Sequence, residues 1–292
     1  ILDVYDNPHG TSRAYLSVAK KNVKSALVAA VVLAHLVGPE AKQNSQIISG
    51  ARSRDQASLV FKLAEKMIRL SPELSKIVRI VPSQKMLIGL ICNVEYRAIS
   101  AEAGTAHGLS PRLAILDEVG QVRGPNDLFV EAVETAQGAH DDPLLIAIST
   151  QAATDGDLFS IWLDDAAHAK DQRIISHLYT APKDCQILDK KAWKVANPAL
   201  GKFRSLQDIK DFAQQADRLP AKAISFRWLF LNQRIEAQSP FLSRAEWEAN
   251  DVPPEVEASD RVFAGLDLSA SRDLTALVCP APSDWSKTIV SA

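Results

Sequence analysis

The sequence predicts an α/β fold: a mostly parallel sheet with helices on both faces, then a small helical linker or lid subdomain, then the opening strands of a second domain. Three observations predict it. Short apolar strands alternate with helices from about residue 13 to 180, and strands separated by helices pair most simply in parallel. From Gln151 to about Ile235 the pattern turns mainly helical. Beyond "NDVPPEVEASD", a Pro- and acid-rich hinge, "RVFAGLDLSASRDLTALVC" reads as two strands joined by a tight turn. The expected division is 1–180, 181–250 and 260–292, with too few residues after Cys279 to complete a sheet.

Each element has its own signature. In "RAYLSVA", Ala14, Leu16 and Val18 share one face of a strand. Residues 25–37 are apolar all round, as a buried helix should be, and Gly38-Pro39 ends it. "QIISG" is the next strand. Over 55–70, Ala57, Val60, Phe61, Ala64, Met67 and Ile68 recur at helical spacing, and Ser53 with Gln56 offers a capping box. "KIVRIVP", "MLIGLICN" and "VEYRAIS" form three short strands, expected as an antiparallel excursion. "RLAILDE", the helix "NDLFVEAVETAQG" and the strand "PLLIAIST" follow, and then helices over Leu158–His168, Leu206–Arg218 and 220–231.

Composition narrows the function. A net charge of -2 gives no global sign of nucleic-acid binding, so any DNA contact would be local. Lys190, Lys191, Lys194, Lys202 and Arg204 are the candidates for it, with a plain solvated lid surface as the alternative reading. Cys92, Cys185 and Cys279 lie far apart, which argues for reduced thiols and against zinc or a disulfide framework. The longest apolar run, 26–34, is too short to span a bilayer. The chain opens abruptly at Ile1 inside what reads as structured sequence, so a trimmed chain lacking both natural ends is expected.

The chemistry concentrates at strand ends. A phosphate-binding loop needs inward backbone N–H groups, a lysine for the terminal phosphates and a hydroxyl for magnesium. In "LSVAKKNVKSALVAA", Lys24 and Ser25 have that identity, adjacency and place between strand and helix, and Lys21, Asn22 and Val23 form the loop before them. The helix adds its positive N-terminal end. The customary glycines are missing: Val23 stands at the second glycine position. "RLAILDEVG" brings Asp117 and Glu118 to the end of a buried strand, Asp117 for Mg²⁺ and Glu118 to orient the attacking water. Ser149, Thr150 and Gln151 end another strand at the same edge. Each half alone has a plain structural explanation, a basic turn before a core helix or a strand terminus. Together they point to one nucleotide site.

"YLSVAKKNVKS", "GTAHGLSPRLAILDEVGQ", "LLIAISTQ" and "FAGLDLSASRDLTAL", in this order, resemble the large terminase subunit of tailed bacteriophages. The resemblance implies an ASCE-type P-loop ATPase domain, a linker subdomain and an RNase H-like nuclease domain. Lys24 and Ser25 match the Walker A pair, Asp117 and Glu118 the Walker B pair, and Ser149 and Thr150 the coupling motif. Lys20 occupies a place where the family commonly has a catalytic arginine, and it lacks arginine's planar fork. Arg52, Arg54 and Arg97 are further sensor or trans-acting possibilities. Asp267 matches the first metal-binding Asp of the nuclease, and Asp273 after the turn is a candidate for a further metal ligand or for a group supporting one.

The implied activity is ATP-driven translocation of double-stranded DNA into proheads, with cleavage of concatemeric DNA using Mn²⁺ or Mg²⁺ clamped by clustered carboxylates. The implied partners are DNA, the small terminase subunit and the portal protein, with the chain in a homo-oligomeric ring in the host cytoplasm and no membrane. Because the later acids of the nuclease cluster would lie past Ala292, the chain is expected not to cut DNA. Val23, in a conformation that β-branched residues resist, is expected to weaken nucleotide binding and slow hydrolysis. The competing expectations are a catalytically impaired prophage remnant, favoured by Val23, and a helicase-like ATPase, disfavoured by "GLDLSASRDLTAL".

Overall fold

The computed structural model describes residues 1–101, 108–168 and 171–235, and three strands at 265–267, 276–280 and 288–291. The chain divides into two compact units, Ile1–Gln238 and Ser239–Ala292.

The first unit is built on one eight-stranded sheet. Its strands are β1 (Arg13–Ser17), β2 (Gln46–Ala51), β3 (Val78–Val81), β4 (Met86–Gly89), β5 (Val94–Ser100), β6 (Pro111–Asp117), β7 (Leu144–Ser149) and β8 (Ile174–Leu178), in the order β3-β4-β5-β2-β6-β7-β1-β8. β5, β2, β6, β7, β1 and β8 run parallel. β3 and β4 pair antiparallel as a side excursion at one edge.

β6 shows why the parallel strands are so apolar. Leu113 and Ile115 point into one core, while Ala114 and Leu116 point into the other. The first core takes Val28, Val32 and Leu36 of α2 (Lys24–Val37) and Val60, Phe61, Ala64 and Ile68 of α3 (Arg54–Leu70). The second takes Val130 and Val133 of α5 (Leu128–Ala136) and Leu158, Phe159 and Leu163 of α6 (Leu158–His168). Ser53 caps α3 by accepting the Gln56 N–H at 3.3 Å, half of the expected box.

Three α-helices and one strand of this unit escaped the periodicity: α1 (Leu2–Tyr5), α4 (Pro72–Ile77), α7 (Lys190–Ala196) and the edge strand β8. β8 adds one strand to 151–235, a stretch that is otherwise mainly helical as expected. Ile174 and Ile175 lie at a sheet edge where every residue keeps some solvent contact, so the apolar signal is diluted.

Residues 181–235 carry a core of their own. It gathers Ala192, Trp193 and Ala196 of α7 (Lys190–Ala196), Ile209, Ala213 and Ala216 of α8 (Leu206–Arg218), and Phe226 of α9 (Pro220–Phe230). Alanines at the contacts let the helices approach closely, and the Trp193 indole N–H finds the Ile187 carbonyl at 2.7 Å. No helix among the described residues is long and apolar enough to cross a membrane.

In the second unit β9 (Gly265–Asp267), β10 (Ala276–Pro280) and β11 (Thr288–Ser291) form an antiparallel sheet in the order β11-β10-β9. The predicted pair of strands is there, and β11 adds a third that the reading of residues after Cys279 did not include. The hinge at 250–260 and Asp273 lie outside the described residues.

Candidate nucleotide site

The strand order sets the site. β7 lies between β1 and β6, so the carboxyl ends of β1, β7 and β6 stand side by side, where open parallel sheets place their ligands. The loop 18–23 leaves β1, the pair Asp117-Glu118 ends β6, and Ser149-Thr150 ends β7. Val18 N–H donates to Ser149 O at 3.0 Å and Glu118 N–H to Ile148 O at 2.8 Å, which continues the ladder past both motifs.

The predicted groups meet. Ser25 Oγ lies 3.4 Å from Asp117 Oδ2. A cleft of about 250 Å³ is lined by Lys20, Lys21, Asn22, Val23, Lys24, Ser25 and Glu118. Lys24 is buried and its ammonium donates to Val18 O at 3.1 Å. Burial lowers its pKa, while the carboxylates of Glu118 and Asp117 oppose that shift and Lys20 adds to it. Asp117 is pushed up to about 6, first by burial and then by repulsion from Glu118, with Lys24 and the Ser25 hydroxyl pulling back. A buried carboxyl beside a hydroxyl, short of positive partners, is a poor place for a lone anion and a good one for a small hard cation. Two oxygen donors, one of them a carboxylate, suit Mg²⁺, which keeps most of its ligands from water and phosphates.

The loop reaches this geometry without glycine. Lys21 has φ +64° and Val23 φ +65°, both left-handed, in alternation with Asn22 and Lys24. Such alternation turns successive N–H groups toward one concavity. Val23 occupies the cap position of α2 with its side chain exposed.

Glu118 is also left-handed, at φ +59°, as the first residue of a tight turn. That turn is held from both sides: Gly120 N–H donates to Ser149 Oγ at 2.9 Å, and the Arg52 guanidinium donates to Gln121 O at 2.7 Å. Gly120 is required by space, since a Cβ there would lie 2.3 Å from Thr150 O. Ser149 and Thr150 are fully buried, so Ser149 works through its neighbour's backbone.

Other predicted residues fall elsewhere. Arg97 pairs with Glu95 of its own strand at 3.1 Å, and the side chain of Arg54 lies outside the described residues. Lys190, Lys191, Lys194 and Lys202 are exposed. Arg204 is a correction: it is buried, paired with Asp208 at 2.5 Å and laid over the Phe230 ring, so it offers no surface to DNA. Asp267 ends β9 of the second unit, opposite Ala276.

Two buried asparagines, Asn232 and Asn197, went unread in the sequence. Asn232, fully buried and left-handed at φ +54°, accepts the Gln151 N–H at 2.7 Å and donates to Ser17 Oγ at 3.0 Å and Tyr179 O at 2.9 Å. It ties the carboxyl ends of β1, β7 and β8 to the exit of α9. Gln151 completes the junction by donating to Asn232 O. Asn197 meets the phosphate loop in the same way, accepting from the Asn22 amide at 2.8 Å. Nothing in "VANPAL" or "FLNQRI" separates a buried hub from an ordinary loop asparagine, because the partners are distant in sequence.

A β-strand, a basic loop and a helix, with an acid pair two strands away and one strand between, define the P-loop ATPase class with the additional central strand. Comparison with known proteins carries this to a family. The family model described as terminase large subunit, ATPase domain, matches residues 6–163, and that described as terminase large subunit, endonuclease domain, matches 168–290. The large terminase subunit of Enterobacteria phage HK97 is 58% identical over 284 residues, covering 97% of this chain and 56% of that protein. The crystal structure of the HK97 large terminase superposes with a TM-score of 0.79 at 57% identity, over 99% of this chain and 60% of that one. The ATPase domain of the Thermus phage P74-26 large terminase shares the fold alone, with TM-score 0.58 at 14% identity, over 80% of this chain and 93% of that one. The chain belongs to the terminase large-subunit family, and it spans somewhat over half the length of the relatives it matches.

Proposed function

We propose that this chain carries the ATPase of a DNA-packaging motor, with residues 1–180 as the ATPase core, 181–250 as the lid or linker and 260–292 as the start of the nuclease domain. The observation that carries it is the meeting of Ser25 with Asp117 at 3.4 Å, in a cleft that Lys24 and Glu118 share.

In this reading the loop N–H groups, the Lys24 ammonium and the N-terminus of α2 bind the phosphates of ATP. Ser25 Oγ and Asp117 would hold Mg²⁺, which when bound neutralises phosphate charge. Glu118, on its rigid turn, orients and polarises the attacking water. Lys20, exposed at the cleft rim, adds positive charge where the γ-phosphate leaves. Ser149 and Gln151 report the state of the turn and loop to Asn232 and α9.

Family membership supports the wider role. The work done by hydrolysis is the movement of double-stranded DNA into a prohead by a ring of these chains, with the small subunit and portal protein as partners, in the host cytoplasm. Cleavage of the DNA belongs in this reading to the full-length protein and would use Mn²⁺ or Mg²⁺ at a site that includes Asp267.

The test is Glu118→Gln. The parent chain is expected to hydrolyse MgATP, and the variant to bind it with similar affinity while hydrolysis falls by at least a hundredfold. Equal rates in both would remove Glu118 from the chemistry. No binding by either would refute the nucleotide site.

A further inference from the structure

The phosphate loop holds two side-chain-bearing residues in the left-handed region where relaxed loops use glycine. Something must oppose their return to ordinary backbone angles. The contacts that do so come from the helical subdomain.

Asn22, between the two left-handed residues, donates to Asn197 Oδ1 at 2.8 Å, and its own Oδ1 accepts the Ala199 N–H at 3.2 Å. The same Asn22 amide reaches back to Ala19 O at 3.0 Å, closing the loop on itself. Asn197 is fixed in turn. It is buried, and its amide donates to Trp193 O at 2.9 Å and Phe230 O at 2.8 Å, the ends of α7 and α9. Two residues before Asn22, Lys20 N–H donates to Leu229 O at 2.9 Å.

We propose that Asn197 is a positioning residue for nucleotide binding: through Asn22 it holds the phosphate loop in the left-handed form that glycines would otherwise make accessible. The proposal rests on the reading of the cleft as an ATP site. It assigns a role at the phosphates to a residue 175 positions away in sequence. It also explains how a loop with Val23 at a glycine position keeps its shape. The cost of the strained backbone is borne by the fold, through contacts made by Asn22 on both sides.

The clamp and a glycine are then alternative solutions to one problem, and a substitution cycle separates them. MgATP affinity is measured by calorimetric titration for the parent chain, Asn22→Ala, Asn197→Ala, the pair together, and each single variant combined with Val23→Gly. Each single variant is expected to lose about tenfold in affinity, the size of one left-handed β-branched residue released. The double variant should lose no more than either alone. Adding Val23→Gly should restore affinity to within about threefold of the parent, although any loss of thermal stability from Asn197→Ala remains. A purely structural role for Asn197 would not be rescued by glycine at 23.

Should Asn197→Ala fail to fold, Asn22→Ala with and without Val23→Gly carries the same test, since Asn22 lies in the loop and outside the helical core. Parent binding that is unmoved in Asn22→Ala, or a loss that Val23→Gly leaves in place, would overturn the proposal while leaving the ATP site intact. An absence of binding by the parent would overturn the ATP reading and this proposal with it.

Discussion

Val23 gives the sharpest test of the loop's geometry, through a comparison of Val23→Gly with Val23→Ala. Both variants remove the same methyl groups, so the lost packing of a partly exposed side chain cancels between them. What remains is the Cβ. At φ +65° and ψ +21° an L-residue costs about 1–2 kcal/mol, which glycine avoids. Glycine gives back about 0.4–1 kcal/mol through the greater freedom of its unfolded chain. The balance leaves Val23→Gly more stable than Val23→Ala by about 1 kcal/mol, or about 2–4 °C in Tm for a unit of this size. At a right-handed helix start the order would reverse, with alanine ahead by about 0.5–1 kcal/mol. The sign alone therefore decides. Thermal unfolding followed by circular dichroism reads it, and Val23→Ala equal to or above Val23→Gly would refute the left-handed loop. Because the chain's own hydrogen bonds hold the loop, Val23→Gly by itself should change MgATP affinity by less than about threefold. That moves the cost of Val23 from binding, where the sequence alone puts it, to folding.

Two further predictions follow from the same geometry. Gly120→Ala places a Cβ 2.3 Å from Thr150 O and 2.7 Å from Ser149 Oγ, and a backbone oxygen cannot swing away, so the Glu118 turn must shift. ATP turnover should fall at least tenfold with stability down by about 1–3 kcal/mol, and an unchanged kcat would show that the turn's position is immaterial. His35 is buried against Tyr5 Oη at 2.9 Å, and burial first, then the Arg112 charge, lower its pKa to about 4. Since the unfolded chain binds the proton near 6.5, this neutral imidazole adds stability above that value, and the contribution fades as pH falls toward 4. The loss is at most about 3 kcal/mol. Denaturant unfolding of the parent and His35→Gln at pH 8 and pH 4.5 measures it, and parallel pH profiles would exclude His35 as the source.

The site was largely legible because its chemistry sits at strand ends. Lys24-Ser25 after β1, Asp117-Glu118 after β6 and Ser149-Thr150 after β7 each declare themselves locally, and a parallel sheet must bring such ends to one edge. Arg204 was misread for the opposite reason. In "LGKFRS" it looks like one more surface cation, and the Phe230 ring of α9, together with Asp208 in the first turn of α8, takes it out of solvent. β8 was missed because an edge strand, half-covered, loses the apolar contrast on which periodicity depends.

Periodicity, apolar runs and cap residues are properties of neighbours along the chain, and with the motifs at strand ends they were enough to specify the α/β class, most elements and the meeting of Ser25 with Asp117. Which residue holds which is decided by groups meeting across the fold. The amides of Asn22, Asn197 and Asn232 carry the same letter as any solvated asparagine. They become structural because their partners lie far off in sequence, and because the buried amides of Asn197 and Asn232 must find every hydrogen bond that water no longer supplies.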